Sequence, residues 1–169
     1  MGKGYKYHCP KCGYKFSAYI GTGFLFPQEY AENVEKAKAG KFGAKLKKLF
    51  ADHPDAALDI EPVVMRCNDC GRYYTRARMD GYLPKEKAEG KPKEDHGRWS
   101  VAFPFEGTDY VTSSDLEESY RKVLPHNYKC RYCHGHLSEV PKDDLLSLGK
   151  MVCPKCGEAL EPEKMILWD

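Results

Sequence analysis

All eight cysteines of the chain fall in Cys-x-x-Cys pairs: Cys9 with Cys12, Cys67 with Cys70, Cys130 with Cys133, and Cys153 with Cys156. Two thiolates three positions apart can grip one ion from a tight turn. Two such turns facing each other supply the tetrahedral shell that Zn(II) accepts, with sulfurs at about 2.3 Å. The turn must be sharp, and glycine follows the second cysteine in three pairs, at Gly13, Gly71 and Gly157. There a positive φ costs nothing and the backbone can fold under the sulfurs. The third pair departs from this: His134 comes before Gly135, and histidine is among the side chains that visit positive φ more readily than most. The repeated Cys-Pro-Lys-Cys, at Cys9 to Cys12 and Cys153 to Cys156, also fits a redox dithiol. That chemistry wants a helix start after a strand, and the glycine after each pair argues for a metal turn instead.

Eight sulfurs make two four-sulfur shells. Nineteen residues separate Cys133 from Cys153 and fifty-four separate Cys12 from Cys67, and closing the longer loop costs only about 1 kcal/mol more than the shorter. Interleaved pairing would close two loops of more than eighty residues. The spacing therefore predicts sequential sites, with Cys9, Cys12, Cys67 and Cys70 around one ion and Cys130, Cys133, Cys153 and Cys156 around the other. His8, His134 and His136 flank cysteines and could each replace a sulfur, but eight thiols already fill both shells. The histidines are expected at the surface or behind the ligands.

With 169 residues the chain makes one compact domain or two small ones, each marginal on apolar burial alone. Structural zinc contributes ~10–16 kcal/mol of apparent folding free energy in small peptides, as much as an ordinary domain's whole stability. No secretory segment is expected, since Met1 to Lys6 runs straight into Tyr7, His8 and the first cysteine, and the longest uncharged run, Phe16 to Gln28, holds Gly21, Gly23 and Pro27 and is too short to span a bilayer. A reducing cytoplasm is the expected home, with paired thiols as metal ligands rather than disulfides. Each Zn(II) with four thiolates carries −2, so two filled sites take the formal charge from +2 to −2. The basic balance that non-specific nucleic-acid binding draws on vanishes with metallation.

The elements around the cysteines follow from periodicity. Tyr5 to His8 and the run with Tyr14, Phe16 and Tyr19 read as strands flanking the first pair, and Val63 to Met65 and Arg72 to Thr75 as strands flanking the second. Pro27 opens a helix with Tyr30 and Val34 on one side. A second helix carries Phe42, Leu46, Leu49 and Phe50 on one face and Lys41, Lys45, Lys47 and Lys48 on the other. Together they form a helical insertion over about 27–53. The mixed-charge run 85–98 reads as a mobile loop, and Trp99 to Phe105 as a strand with one aromatic face. Ser114 with Glu117 has capping-box spacing, predicting a helix through Leu116, Tyr120 and Val123 that Pro125 stops. Met165 to Trp168 reads as a closing strand. The domains expected are 1–110, a connecting helix over 111–125, and 126–169.

Tyr7, His8, Cys9, Pro10, Lys11, Cys12, Gly13 and Tyr14 resemble the first turn of zinc ribbons and of rubredoxins. The rubredoxin likeness implies iron and electron transfer, but it covers the cysteine turns alone: the first gap is longer here, and Gly71-Arg72 lacks that family's proline-rich approach. Taken whole, the chain resembles bacterial zinc-ribbon proteins with two four-cysteine sites. That likeness implies a small, metal-stabilised α+β fold of two ribbons, each a set of short antiparallel hairpins, with the helical insertion in the first. It transfers no catalytic residue.

The function expected is that of a non-catalytic protein binding two Zn(II), or less readily iron, and using metal-fixed hairpins as an interaction or adaptor module. A protein partner is favoured over nucleic acid. The nucleic-acid alternative rests on cations interleaved with aromatics: Tyr73, Tyr74, Arg76, Arg78, Lys129, Arg131 and Tyr132, with Lys45, Lys47 and Lys48 on the basic helix. Cations close to doubly negative sulfur sites also offset local charge with no ligand at all. No His-Glu-x-x-His, phosphate-binding loop or nucleophile elbow occurs, so neither an enzyme, a small-molecule substrate nor a membrane association is expected.

Overall fold

The protein is described here by a computed structural model covering residues 2–85, 110–147 and 149–168. In chain order its elements are β1 (Gly2–His8), β2 (Lys15–Ile20), α1 (Phe26–Lys38), α2 (Ala44–Asp52), β3 (Ala57–Asp59), β4 (Pro62–Cys67), β5 (Tyr73–Ala77), β6 (Asp80–Pro84), α3 (Ser113–Ser119), β7 (Tyr120–Leu124), β8 (Leu137–Glu139), α4 (Lys142–Leu146) and β9 (Glu161–Trp168). They make a small α+β fold with three antiparallel three-stranded sheets. No helix among the described residues is long and apolar enough to cross a membrane.

Two of the sheets are built the same way. β1 and β2 form a hairpin whose last pair is His8 opposite Lys15, so that Cys9 to Gly13 lie in its turn. β9 then pairs antiparallel with the other edge of β1, giving the order β2-β1-β9. In the second sheet β4 and β5 enclose Cys67 to Gly71 in their turn, and β8 pairs antiparallel with β4, giving β5-β4-β8. These sheets belong to one compact unit made of Met1–Phe24, Glu61–Arg78 and Asn127–Asp169. Its core gathers Tyr7, Ala18, Val64, Tyr73, Leu145, Met151 and Leu160 with the sulfur-bearing Cys9 and Cys153. The buried Glu61 accepts from Arg78 and Lys142, each at 3.0 Å, and Arg78 also reaches Glu139 at 2.7 Å. This network ties the start of β4 to α4 and β8; a buried carboxylate held by two cations is far cheaper than an unpaired one.

The other unit comprises Leu25–Ile60 and Met79–His126. Pro27 starts α1, as the sequence predicts, and α1 buries Phe26, Tyr30 and Ala37. α2 buries Leu46 and Phe50 from the predicted apolar face and leaves Lys45, Lys47 and Lys48 exposed. The third sheet, β3-β6-β7, completes this unit. Buried Asp80 on β6 accepts from Lys122 on β7 at 2.5 Å and from the His126 backbone N–H at 2.7 Å.

Three expectations are corrected. The division into 1–110, 111–125 and 126–169 does not hold, because 127–169 folds with 1–24 and 61–78. The expected connecting helix is short: it spans Ser113–Ser119, and Tyr120–Leu124 leaves it to pair with β6. Pairing with β6 wins over the helical period, consistent with the β preference of Tyr and Val. Its capping box is also displaced, with Thr112 and Asp115 exchanging hydrogen bonds in place of Ser114 and Glu117. The predicted loop 85–98, apart from Lys85, and the predicted strand 99–105 lie outside the described residues.

β6 approaches α2 closely at Gly81, where an added Cβ would stand 2.5 Å from Leu49 Cδ2 and 3.3 Å from Leu46 Cδ2. Gly81→Ala is therefore expected to destabilise the protein by about 1–3 kcal/mol through overpacking. Urea denaturation checks this, since a lower midpoint with an unchanged slope isolates the stability change.

Candidate metal centres

Each Cys-x-x-Cys turn closes with the same two backbone hydrogen bonds. The N–H four residues on donates to the carbonyl of the first cysteine: Gly13 to Cys9 at 2.9 Å, Gly71 to Cys67 at 3.0 Å, His134 to Cys130 at 3.0 Å and Gly157 to Cys153 at 3.0 Å. The first cysteine's N–H in turn donates to the carbonyl five residues on, at Tyr14, Arg72, Gly135 and Glu158. The turn needs a left-handed residue at its fourth step. Gly13, Gly71 and Gly157 have φ of 68°, 71° and 76°, and His134 takes φ 61° in the place where the others have glycine. With a Cβ, His134 holds that angle at a cost of roughly 1–2 kcal/mol that glycine does not bear.

The turns combine in two groups, Cys9, Cys12, Cys153 and Cys156 in one and Cys67, Cys70, Cys130 and Cys133 in the other, and within each all four sulfurs lie within 4.8 Å of one another. All eight predicted ligands are thus brought together, but the sequential partition is corrected to a nested one: first with fourth, second with third. The sheets explain this. The fourth turn leads into β9, which pairs with β1 beside the first turn; the third leads toward β8, which pairs with β4 beside the second. Closing these nested loops costs about 1–2 kcal/mol more than closing sequential ones, little against two added strands.

Across each centre the contacts are Cys9 to Cys156 at 3.4 Å and Cys12 to Cys153 at 3.5 Å, and Cys67 to Cys133 at 3.4 Å and Cys70 to Cys130 at 3.6 Å. A tetrahedron with metal–sulfur bonds of about 2.3 Å has edges of roughly 3.8 Å, whereas a disulfide needs about 2.05 Å. The spacing fits a cation and excludes four covalently joined sulfurs. Two thiolates 3.5 Å apart repel by roughly 5 kcal/mol at an effective dielectric of 20, so without a cation only some can ionise. Burial opposes ionisation of Cys9, yet backbone N–H donors from Cys12 and Lys11 and the Cys156 thiol bring it down to about 7. Cys130 is also buried, and the Tyr74 hydroxyl, 3.0 Å away, and the N–H groups of Cys133 and Tyr132 bring it down to about 6. Their partners hold the protons. Cys156 is pushed up to about 12 although the Glu158 N–H pulls the other way, because burial and the sulfurs of Cys9, Cys12 and Cys153 outweigh that donor. Cys133 is likewise pushed up to about 12 by Cys67 and burial, against the N–H of Gly135. A dication reverses this inequality, neutralising the mutual repulsion so that all four sulfurs bind as thiolates.

No histidine among the described residues joins either group. His8 stands 3.8 Å from Glu161 and 3.5 Å from Glu163, and His134 and His136 are exposed. The cations and aromatics proposed for nucleic acid do not stay together. Tyr73 is buried, with its hydroxyl donating to the Val152 carbonyl and accepting the Val152 N–H, both at 3.1 Å. Tyr74 is engaged by Cys130, and Arg78 by Glu61 and Glu139. Lys45, Lys47 and Lys48 belong to the other unit, Lys48 paired with Asp52 at 2.9 Å. Lys129, Arg131 and Tyr132 remain exposed, Tyr132 with the Arg72 guanidinium 4.1 Å over its ring, and Arg76 lies 5.6 Å over Tyr74. The Tyr74 hydroxyl beside the Cys130 sulfur is not legible in the sequence, because the two lie fifty-six positions apart and no local pattern joins them.

No family model, curated protein or solved structure matches the chain.

The nested grouping makes a specific prediction for paired substitutions. Cys9→Ser with Cys153→Ser is expected to cost one bound ion per chain, as either change alone does, because both strike one centre. Cys9→Ser with Cys67→Ser is expected to cost both ions. Elemental analysis of the two double variants and the two single ones checks this, and sequential pairing would give the opposite ranking of the doubles.

Proposed function

We propose that the chain is a non-catalytic zinc-binding protein of the zinc-ribbon kind, holding two Zn(II) and presenting metal-fixed hairpins to a macromolecular partner, a protein before a nucleic acid, in a reducing cytoplasm. One observation carries the reading: each centre supplies four sulfurs from the chain itself. A tetrahedral ion held by four protein ligands has no position left for water or substrate, the arrangement of a structural rather than a catalytic site. Each centre also joins a hairpin to a strand far away in sequence, so an ion there stabilises the tertiary fold and holds the turn residues rigid for recognition.

A nucleic-acid partner is the second reading, favoured by one feature. Tyr132 is 69% exposed with Arg72 stacked on it, beside exposed Lys129 and Arg131. An open aromatic face flanked by cations suits an unpaired base and its phosphate.

Elemental analysis together with a visible spectrum tests the first reading. Two zinc per chain and a colourless solution are expected; visible absorption with iron would instead support an electron carrier. For the second reading, affinity for mixed single-stranded RNA and DNA is measured at two salt concentrations. Binding that weakens steeply with salt and with Tyr132→Ala supports it, and no binding at low salt removes it.

A further inference from the structure

We propose that β9 is the contact strand of a symmetric homodimer, pairing antiparallel through its free edge with the β9 of a second copy of this chain. The inference goes beyond the proposed function and does not depend on which ion the centres hold. It starts from the backbone. In the sheet β2-β1-β9 each outer strand presents N–H and C=O groups along its outer side. The outer side of β2 is met by β5, where the Thr75 hydroxyl accepts the Tyr19 N–H at 3.3 Å and donates to the Ser17 carbonyl at 3.2 Å. Among the described residues no strand pairs with the outer side of β9. β8, at the edge of the second sheet, has three residues. β9 has eight, enough to template another strand.

Edges that stay unpaired are blunted by proline, by bulges or by shortness. The proline and the bulge of β9 both lie in its first half. Pro162 lacks an N–H, and the register against β1 slips at Glu163, since Lys6 stands opposite Lys164 and Tyr7 opposite Pro162. From Lys164 to Trp168 the pairing with β1 runs without a break. That half also carries uncovered apolar side chains. Met165 stands opposite Tyr5 and Leu167 opposite Lys3. Residues opposite each other share a face, so Met165 and Leu167 lie on the face that Tyr5 turns to the apolar core. The core does not reach them: Met165 is 56% and Leu167 54% exposed.

The polarity of the strand says what covers this edge. A second copy related by a two-fold axis through Ile166 sets Met165 opposite Leu167 of that copy and Leu167 opposite its Met165, so that four apolar side chains cover one another. Glu161 and Glu163 then fall outside the paired stretch 164–168, at its opposite ends. Moving the axis to Met165 sets the Glu163 carboxylate against Leu167, at a desolvation cost. Moving it to Leu167 leaves Met165 with no apolar residue opposite. One register is selected, and in it the strand is complementary to itself, which is what an isologous contact requires. Five residue pairs span about 17 Å, and a contact of that length stays below the standard interface of about 1,200–2,000 Å². The dimer is therefore weak and forms at high protein concentration.

The test is sedimentation equilibrium of the full chain, with metal content and circular dichroism recorded for every sample. Between about 10 µM and about 1 mM the average mass is expected to rise from one chain toward two. Met165→Lys combined with Leu167→Lys is expected to hold it at one chain throughout. Both positions are exposed, and an unchanged dichroism spectrum shows that the double variant is folded. Tyr132→Ala removes an exposed aromatic side chain elsewhere and is expected to leave the rise unchanged. Hydrogen exchange on the native chain needs no variant: amides within 164–168 are expected to exchange more slowly by about twofold or more at the higher concentration. A mass that stays at one chain up to about 1 mM would overturn the proposal and leave the edge to a strand of another protein. A dimer that survives the double substitution, or that forms without slowing exchange in 164–168, would overturn it too. Metal content reports separately on the metal reading.

Discussion

Four sulfurs within 4.8 Å of one another are the constraint on which the rest of this structure depends. Each thiolate repels its neighbours by several kcal/mol at these separations, and without a cation the cluster can persist only by keeping protons on part of its members. That is the state in which Cys130 falls to about 6 while Cys133 rises to about 12. A dication removes the conflict, and its binding free energy becomes folding free energy. Because each centre joins a hairpin turn to a distant turn, an ion held there would close long loops: 140 residues separate Cys12 from Cys153 and fifty-nine separate Cys70 from Cys130.

The same construction occurs twice, one copy threaded inside the other. A hairpin carries the first cysteine pair in its turn, and a later pair leads to a third strand that lies antiparallel against the first strand of the hairpin. The two copies share one compact unit and differ in their surroundings. One contributes Cys9 and Cys153 to the apolar core, while the other has a tyrosine hydroxyl on Cys130 and a histidine where the other turns have glycine. Identical sets of four cysteines therefore sit in unequal environments.

The ligands were legible in the sequence because cysteine spacing is a local property, and so were β1, β2, β4, β5, α1 and most of α2, whose periods are local too. Partner choice was not. The four turns share one backbone pattern, and loop entropy separates the possible pairings by only a kcal/mol or two; what decides is the match of β9 to β1 and of β8 to β4, which no spacing records. The segment Tyr120–Leu124 failed for a related reason: Leu116, Tyr120 and Val123 satisfy a helical period, and only the neighbouring β6 makes a strand of the last five residues. The candidate nucleic-acid residues were dispersed by burial and by ion pairs, as Tyr73 and Arg78 illustrate.

The central claim is the nested sharing of ions, and it is tested most directly by replacing the metal with cadmium-113 and correlating each cadmium resonance with the cysteine β-protons bonded to it. Two resonances are predicted, one coupled to Cys9, Cys12, Cys153 and Cys156 and the other to Cys67, Cys70, Cys130 and Cys133. A resonance coupled to both Cys12 and Cys67, or to both Cys133 and Cys153, would contradict the account.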